Sequence, residues 1–321
     1  MRALPISVLL LGLVIGCESY PNYPNMSTKG KLYLECFPCS GTDSTILTVS
    51  RARPVNQSKR ETSWDDVLFE LNVNGSPINW ESCKNTSNGL RYSASTDLTR
   101  GDIVALTVHD SDNIVHVESS VPESPAFTYS REMTQEWLER YHIILETTPF
   151  AGGAQFYGAF LEARNHYLTK YPDGRTEEEY IPISVEIEIS ETAKGTSFSE
   201  LVEERFHRIS AAGKEMFVFS LGKDDPSPYE FDIMTASTHE IVEWPHPDAP
   251  TYRNTQFRLV VYKLNQRAYR FLSDLDNPVM IGAGLVPPFV ANGNMKDIYG
   301  MFESLGQSST EWLPALIVYK E

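Results

Sequence analysis

The 321 residues carry 27 lysines and arginines against 43 aspartates and glutamates, a formal net charge of -16. No cluster of basic residues is available to neutralise phosphates or to dock on anionic lipid, so nucleic acid and a basic membrane-surface patch are excluded as modes of binding. A hydrophobic fraction of 41% with 22% charged residues is that of a folded globular body, long enough for two domains with their own cores.

Residues 1–16 read as a signal peptide, with a single positive charge at Arg2 followed by an apolar run that stops at Cys17. The run is shorter than the roughly 20 residues needed to cross a bilayer. Val14-Ile15-Gly16-Cys17 resembles the bacterial lipobox, in which a branched and a small residue precede a cysteine that is diacylated and becomes the new N-terminus. Cys17 is therefore the expected lipidation site, and its two or three acyl chains would suffice for stable anchoring. Residues 17–29, rich in Ser, Tyr, Pro and Asn, read as a flexible tether.

Lipidation of Cys17 leaves Cys36, Cys39 and Cys83, and a structural disulfide involving these three is expected. The spacing Cys36-Phe37-Pro38-Cys39 is that of a redox pair, but such pairs sit at the start of a helix, whose N-terminus lowers the thiol pKa. Here the chain runs on into the strand-like Thr45-Ile46-Leu47-Thr48-Val49, so a turn between strands is the better reading.

Residues 30–122 consist of short strand-like runs separated by turn chemistry: Lys31 to Cys36, Ser44 to Ser50, Val67 to Val73, Ile78 to Ser82, Leu90 to Ala94, Ile103 to Asp110 and Ile114 to Glu118. That count and spacing predict an immunoglobulin-like β-sandwich. Asn74-Gly75 supplies the positive φ angles of a tight hairpin, and Asn88-Gly89 could do the same. Pro122 and Pro125 stiffen the chain and place the expected domain boundary there.

Residues 123–321 predict a larger β-rich domain with a few short helices. Arg131 to Glu146 is compatible with either helix or strand, because Met133, Trp137 and Tyr141 lie at helical spacing while Tyr141 to Leu145 alternates. Phe156 to Leu168, Tyr180 to Ser190, Met216 to Leu221 and Phe257 to Leu264 read as longer strands, and Ser199 to Ile209 and Gln266 to Ser273 as helices. Glu177-Glu178-Glu179, after Pro172-Asp173-Gly174, reads as a charged hairpin loop.

With these parts in order, the chain is similar to a family of Bacteroidota outer-membrane lipoproteins catalogued as domain of unknown function 4249. The residues that carry the similarity are the lipobox at Cys17, Leu47-Thr48-Val49-Ser50-Arg51-Ala52-Arg53-Pro54, Gly101-Asp102-Ile103-Val104-Ala105-Leu106-Thr107-Val108, and above all the C-terminal run from Tyr269 to Phe302. In that run Asn277-Pro278 is followed by Pro287-Pro288-Phe289-Val290, Asn294-Met295 and Ile298-Tyr299-Gly300-Met301-Phe302. The Cys36/Cys39 pair and Met301-Phe302 depart from the family's pattern. What the resemblance implies is a lipid-anchored protein of the outer membrane at the cell surface, acting as an accessory or binding subunit of a TonB-dependent transporter in nutrient or metal-complex uptake. Asp43-Ser44-Thr45 matches the short O-glycosylation signal of that phylum, with Ser44 as acceptor.

No motif carries chemistry of its own. There is no Gly-x-Ser-x-Gly elbow and no phosphate-binding glycine loop, and His239-Glu240 lacks the second histidine of a zinc-protease helix. His246 and Asp248 flank Pro247 without a third ligand, and Asp224, Asp225, Glu230 and Asp232 do not have the spacing of a calcium loop. No catalytic residue, metal ligand or cofactor is assigned. Two other classes stay open: a cell-surface hydrolase using paired carboxylates, and an adhesin. Tyr20, Tyr23, Trp64, Trp80, Trp244, Tyr252 and Trp312 are the aromatics from which a binding surface could be built.

Overall fold

The computed structural model describes residues 32–51, 64, 66–86, 89–110, 113–134, 138–147, 153–191, 205–211, 214–236, 243–245, 250–275 and 293–316. The signal peptide, Cys17, the tether, Asn88, His239, Glu240, His246, Asp248 and the run from Asn277 to Val290 lie outside them. Within the described residues the chain is mainly β, as the strand-length apolar runs predict.

The first part contains β1 (Leu32–Cys36), β2 (Ser44–Arg51), β3 (Val67–Val73), β4 (Ser76–Ile78), β5 (Ser82–Asn85), β6 (Gly89–Ser95), β7 (Ile103–Asp110) and β8 (Asn113–Ser120). The second contains β9 (Ala126–Met133), β10 (Leu138–Glu146), β11 (Gln155–Lys170), β12 (Thr176–Ile183), β13 (Ile187–Glu191), β14 (His207–Ala211), β15 (Lys214–Leu221), β16 (Tyr229–Ala236), β17 (Glu243–Pro245), β18 (Pro250–Leu264) and a helix, α1 (Gln266–Leu275). Three short strands follow: β19 (Tyr299–Phe302), β20 (Gly306–Ser309) and β21 (Leu313–Pro314).

In the first part, β1-β2-β6-β5 form one sheet and β4-β3-β7-β8 the other, the strand order of an immunoglobulin-type sandwich. Alternation makes the core. Leu32, Leu34, Cys36, Leu47 and Val49 project from the first sheet onto Phe69, Leu71, Val104, Leu106 and Val108 of the second. The β3–β4 hairpin turns at Asn74 and Gly75, with φ of 51° and 77°, the left-handed pair that a two-residue turn between right-twisted strands requires.

The sandwich takes a ninth strand from beyond the expected boundary. β19 lies parallel to β1, pairing Tyr33 with Tyr299 and Cys36 with Phe302, and Met295, Ile298 and Phe302 are buried in the same core. The division at residue 122 is therefore a division of the chain but not of the packing. Asn294 fixes this return: its side-chain oxygen accepts from the Phe302 amide at 3.1 Å and its amide nitrogen donates to the Phe302 carbonyl at 2.5 Å, as a neighbouring strand's peptide would. Buried Glu303 accepts from the Ser119 hydroxyl, whose oxygen also takes the Ser304 amide at 2.8 Å.

The second part is another sandwich. A four-stranded sheet, β13-β16-β10-β9, faces a larger one of order β14-β15-β11-β18-β17, to which β12, β20 and β21 are added. Tyr141, Ile143, Leu145, Phe231 and Ile233 of the small sheet meet Tyr157, Leu161, Phe219, Phe257 and Leu259 of the large one in a single core. Within Arg131 to Glu146, compatible with helix or strand by sequence, the described residues form the end of β9 and the paired β10, where the buried residues Glu139, Tyr141, Ile143 and Leu145 recur at period two. The segment from Tyr180 to Ser190 divides between the sheets, β12 pairing β11 and β13 pairing β16. Of the helix expected over Ser199 to Ile209, the residues up to 204 lie outside the described ones, and His207 to Ile209 belong to strand β14, which pairs with β15.

Helix α1 forms where expected. Asn265 caps it, its side-chain oxygen accepting the Ala268 amide at 2.8 Å. Its buried face, Ala268, Phe271 and Leu272, packs on Ile209, Val218 and Leu264 of the large sheet and on Cys39, Met301 and Leu305 beside the first sandwich. Each fully buried Phe or Leu contributes about 1.5–3 kcal/mol, so α1 ties the two sandwiches together through an apolar layer.

This packing explains why the expected disulfide is not formed. Cys36 points into the first core, Cys39 into the layer under α1, and Cys83 is exposed on β5; all three are free thiols. Burial pushes the Cys36 thiol well above its usual range and the Cys39 thiol up to about 12, so neither is a nucleophile at neutral pH.

Lys263 stands at one end of the second core, its ammonium donating to Gln155 at 2.5 Å and to the Tyr157 hydroxyl at 2.8 Å. Burial lowers its pKa from 10.5 to about 8, although Glu123 works the other way. Between those two values the unfolded chain binds the extra proton, so this group makes stability rise with pH. Lys263→Met should remove that part of the rise; identical wild-type and variant slopes of urea midpoint between pH 8 and 10.5 would refute it.

Candidate functional site

The two central strands of the large sheet, β11 and β18, have 16 and 15 residues, whereas β10 opposite has nine. At about 3.3 Å per residue the large sheet overhangs its partner by about 20 Å. Burial along β11 stops at Ala163, and every residue of β12 except Ile183 is exposed. Side chains on the overhang are thus released from core packing.

On the outer face of this region the alternation places Glu162, Arg164 and His166 of β11 beside Arg258, Gln256 and Asn254 of β18, with Tyr180 of β12 on one flank and Trp312, next to β21, on the other. The Arg164 guanidinium carbon lies 4.0 Å from the centroid of the Tyr180 ring and 4.0 Å from that of Trp312. Its Nε donates to Gln256 Oε1 at 2.8 Å. Arg258 lies over Trp312 at 4.9 Å and is paired with Glu162, to which its Nε donates at 2.9 Å. His166 stacks on Tyr180, with centroids 4.7 Å apart and planes 8° from parallel. The Tyr180 hydroxyl donates to Glu178 at 2.6 Å, which holds that carboxyl below its usual range and the phenol above its own.

The result is a strip of planar groups, cation against ring, fixed on rigid strands. Tyr180 is 43% exposed and Ile181 41%. Arg, Tyr and Trp are the residues enriched among those that anchor protein interfaces. Arg258 is neutralised by Glu162, whereas Arg164 has no carboxylate partner among the described residues. Burial and the nearby Arg258 charge hold the Arg164 guanidinium below its usual range, opposed by Tyr180.

A second polar cluster occupies the outer face of the small sheet. His142 Nδ1 is 2.8 Å from Asp232 Oδ1 and its Nε2 3.8 Å from Glu230, while Arg140 reaches Asp232 at 3.7 Å and pairs with Glu132. Two carboxylates, Asp232 and Glu230, are thus brought to one imidazole. The cluster of Asp224, Asp225, Glu230 and Asp232 is dispersed: Asp225 accepts from Arg205 at 2.5 Å and from the Gly222 amide at 2.6 Å, away from the His142 group. Among the described residues no group of three or more His, Cys, Asp or Glu is placed to hold a metal ion, and no helix is long and apolar enough to cross a membrane.

Residues 19–311 match a protein family described as Domain of unknown function (DUF4249). The chain belongs to this family. The matched region of this chain spans both sandwiches and the β19 return. No curated protein matches the chain. The family-like residues Asn294, Gly300 and Phe302 prove to be the ones that seat β19, not members of the exposed strip.

Of the sequence-derived aromatics, Trp312 is in the strip. Trp80 is turned inward and donates to the Phe69 carbonyl at 2.8 Å, and Trp64 packs on the first core under Arg51. Tyr20 and Tyr23 lie outside the described residues. Glu177, Glu178 and Glu179 belong to strand β12 and not to the hairpin loop, which is Tyr171 to Arg175. Ser44 opens β2 and is partly exposed next to exposed Asp43. Sequence reasoning missed Arg164, Tyr180 and Gln256. The signal was there in β11, where apolar Leu161 and Ala163 alternate with Glu162, Arg164 and His166.

Proposed function

We propose that this DUF4249 protein is a surface-exposed outer-membrane lipoprotein, anchored through Cys17, that serves as an accessory or binding subunit of a TonB-dependent transporter in nutrient or metal-complex uptake. The observation that carries the reading is the lipobox-like Val14-Ile15-Gly16-Cys17 immediately before the family-matched region. The tether gives a lipidated N-terminus reach, and the strip around Arg164 supplies a rigid surface rich in interface-forming residues. Extraction from native membranes in mild detergent through a C-terminal tag should bring a stoichiometric TonB-dependent receptor; repeated recovery of the protein alone would overturn the accessory role. Separately, Cys17→Ser should shift the protein out of the membrane fraction, and its retention there would overturn the anchoring.

A further inference from the structure

We propose that Arg164, framed by Tyr180 and Trp312 and aimed by Gln256, is a recognition site for a carboxylate. The inference rests on taking the overhang as the binding surface. It starts from the donor inventory of a guanidinium, which has five N–H groups in one plane. With rings lying over its carbon at 4.0 Å on the β12 and β21 sides, its faces are occupied. Its Nε is taken by Gln256. What is left is the end edge, the N–H groups on the two Nη atoms, which is the edge that grips a carboxylate through two parallel hydrogen bonds.

The neighbouring arginine provides the contrast. Arg258 has the same aromatic neighbour in Trp312, but Glu162 takes its Nε and one Nη. A purely structural pairing would give Arg164 a carboxylate in the same way, and the position facing it in register, Gln256, has a carboxylate's shape without the charge. Gln256 orients the guanidinium and leaves its charge uncompensated. Two planar walls beside that charge favour an acid with a flat or apolar body, which can lie against the exposed ring of Tyr180 while its carboxylate meets the Nη edge. Phosphate, lacking such a body, gains only the charge.

The carboxylate has two sources, a free organic acid or an acidic side chain of a protein partner, and the test separates them. Purified full-length protein is titrated with benzoate, with benzamide as the neutral isostere and inorganic phosphate as the bodiless anion, while the indole N–H resonances are followed. A saturable shift of the Trp312 signal with benzoate, and one at least tenfold weaker with benzamide and phosphate, is the expected result. Arg164→Gln should weaken benzoate at least tenfold. Gln256→Glu keeps the side-chain shape and supplies an internal carboxylate, so it should abolish the benzoate response in a protein that still folds. No saturable shift, an equal response to benzamide, or undiminished binding in Gln256→Glu overturns the proposal. The same variants in the membrane extraction show the source: loss of a co-purifying partner assigns the carboxylate to the partner, and its retention assigns it to a free acid. Because benzoate binding is read on the isolated protein, its failure removes this site without touching the transporter reading, and recovery without a receptor does the reverse.

Discussion

Gly300→Ala is expected to destabilise the protein by more than about 3 kcal/mol, a large part of the roughly 5–15 kcal/mol available to a domain. Gly300 has φ of 100°, where a side chain is strained, and a β-carbon there would sit 1.8 Å from the Leu34 carbonyl oxygen. That oxygen belongs to β1, so the clash cannot be relieved by turning a flexible side chain. β19 would have to leave β1, taking Phe302 and Met301, both fully buried, out of their cores. Gly75→Ala is the control. Its φ is 77° but nothing lies within 4 Å of the added carbon, so only the backbone strain of about 1–2 kcal/mol applies. Urea unfolding of both variants checks the claim, and equal losses would refute it. Residues 30–122 expressed alone should likewise fail to fold cooperatively, for want of the same strand.

Most strands of the first sandwich were legible because one face of each is buried and the other wet, which writes period two directly into the sequence. Val67–Val73 and Ile103–Asp110 were bounded to the residue for this reason, and the Asn74-Gly75 turn followed from its chemistry. β19 was not legible. It is four residues long, Tyr299–Phe302, with Gly300, Met301 and Phe302 all buried, so it carries no alternation, and its partner lies 266 residues earlier in a register set by a glycine. A domain boundary drawn at two prolines reads the local chain; it cannot see a strand that comes back.

The strip on the overhang was hidden for a different reason. Its members come from β11, β12, β18 and the residue before β21, and only the register of four strands brings them onto one face. Trp312 could be singled out as an aromatic, but its pairing with Arg164 across β18 has no local signature. The cysteine expectation failed through the same gap. Three thiols left over from Cys17 suggest a bond, but alternation sends Cys36 into the first core and the turn carries Cys39 into a different layer, the one completed by α1.

The other large effect should come from Glu139, which is fully buried although it lies on an otherwise apolar stripe. Its carboxylate is paired with Arg131 at 3.1 Å, accepts the Tyr141 hydroxyl at 2.6 Å, and takes the Leu316 amide at 3.2 Å. Arg131 in turn donates to the Pro314 carbonyl at 2.7 Å, so one buried charge holds β9, β10 and the chain around β21 together. Glu139→Ala would strand the guanidinium, the phenol and an amide at once. Breaking one side of a buried ion pair costs about 3–5 kcal/mol, and that is the expected loss by urea unfolding. Glu139→Gln keeps an acceptor for the phenol or the amide while removing the charge, so it should fall between the wild type and the alanine variant. The two variants also separate charge from shape at a distance. Because β21 places Trp312 beside Arg164, loss of the Glu139 clamp should loosen the outer wall of the strip, and faster amide exchange at Leu313 and Ala315 in Glu139→Ala than in the wild type would show it. A loss below about 1 kcal/mol with unchanged exchange would mean that the network is incidental to how β21 is held.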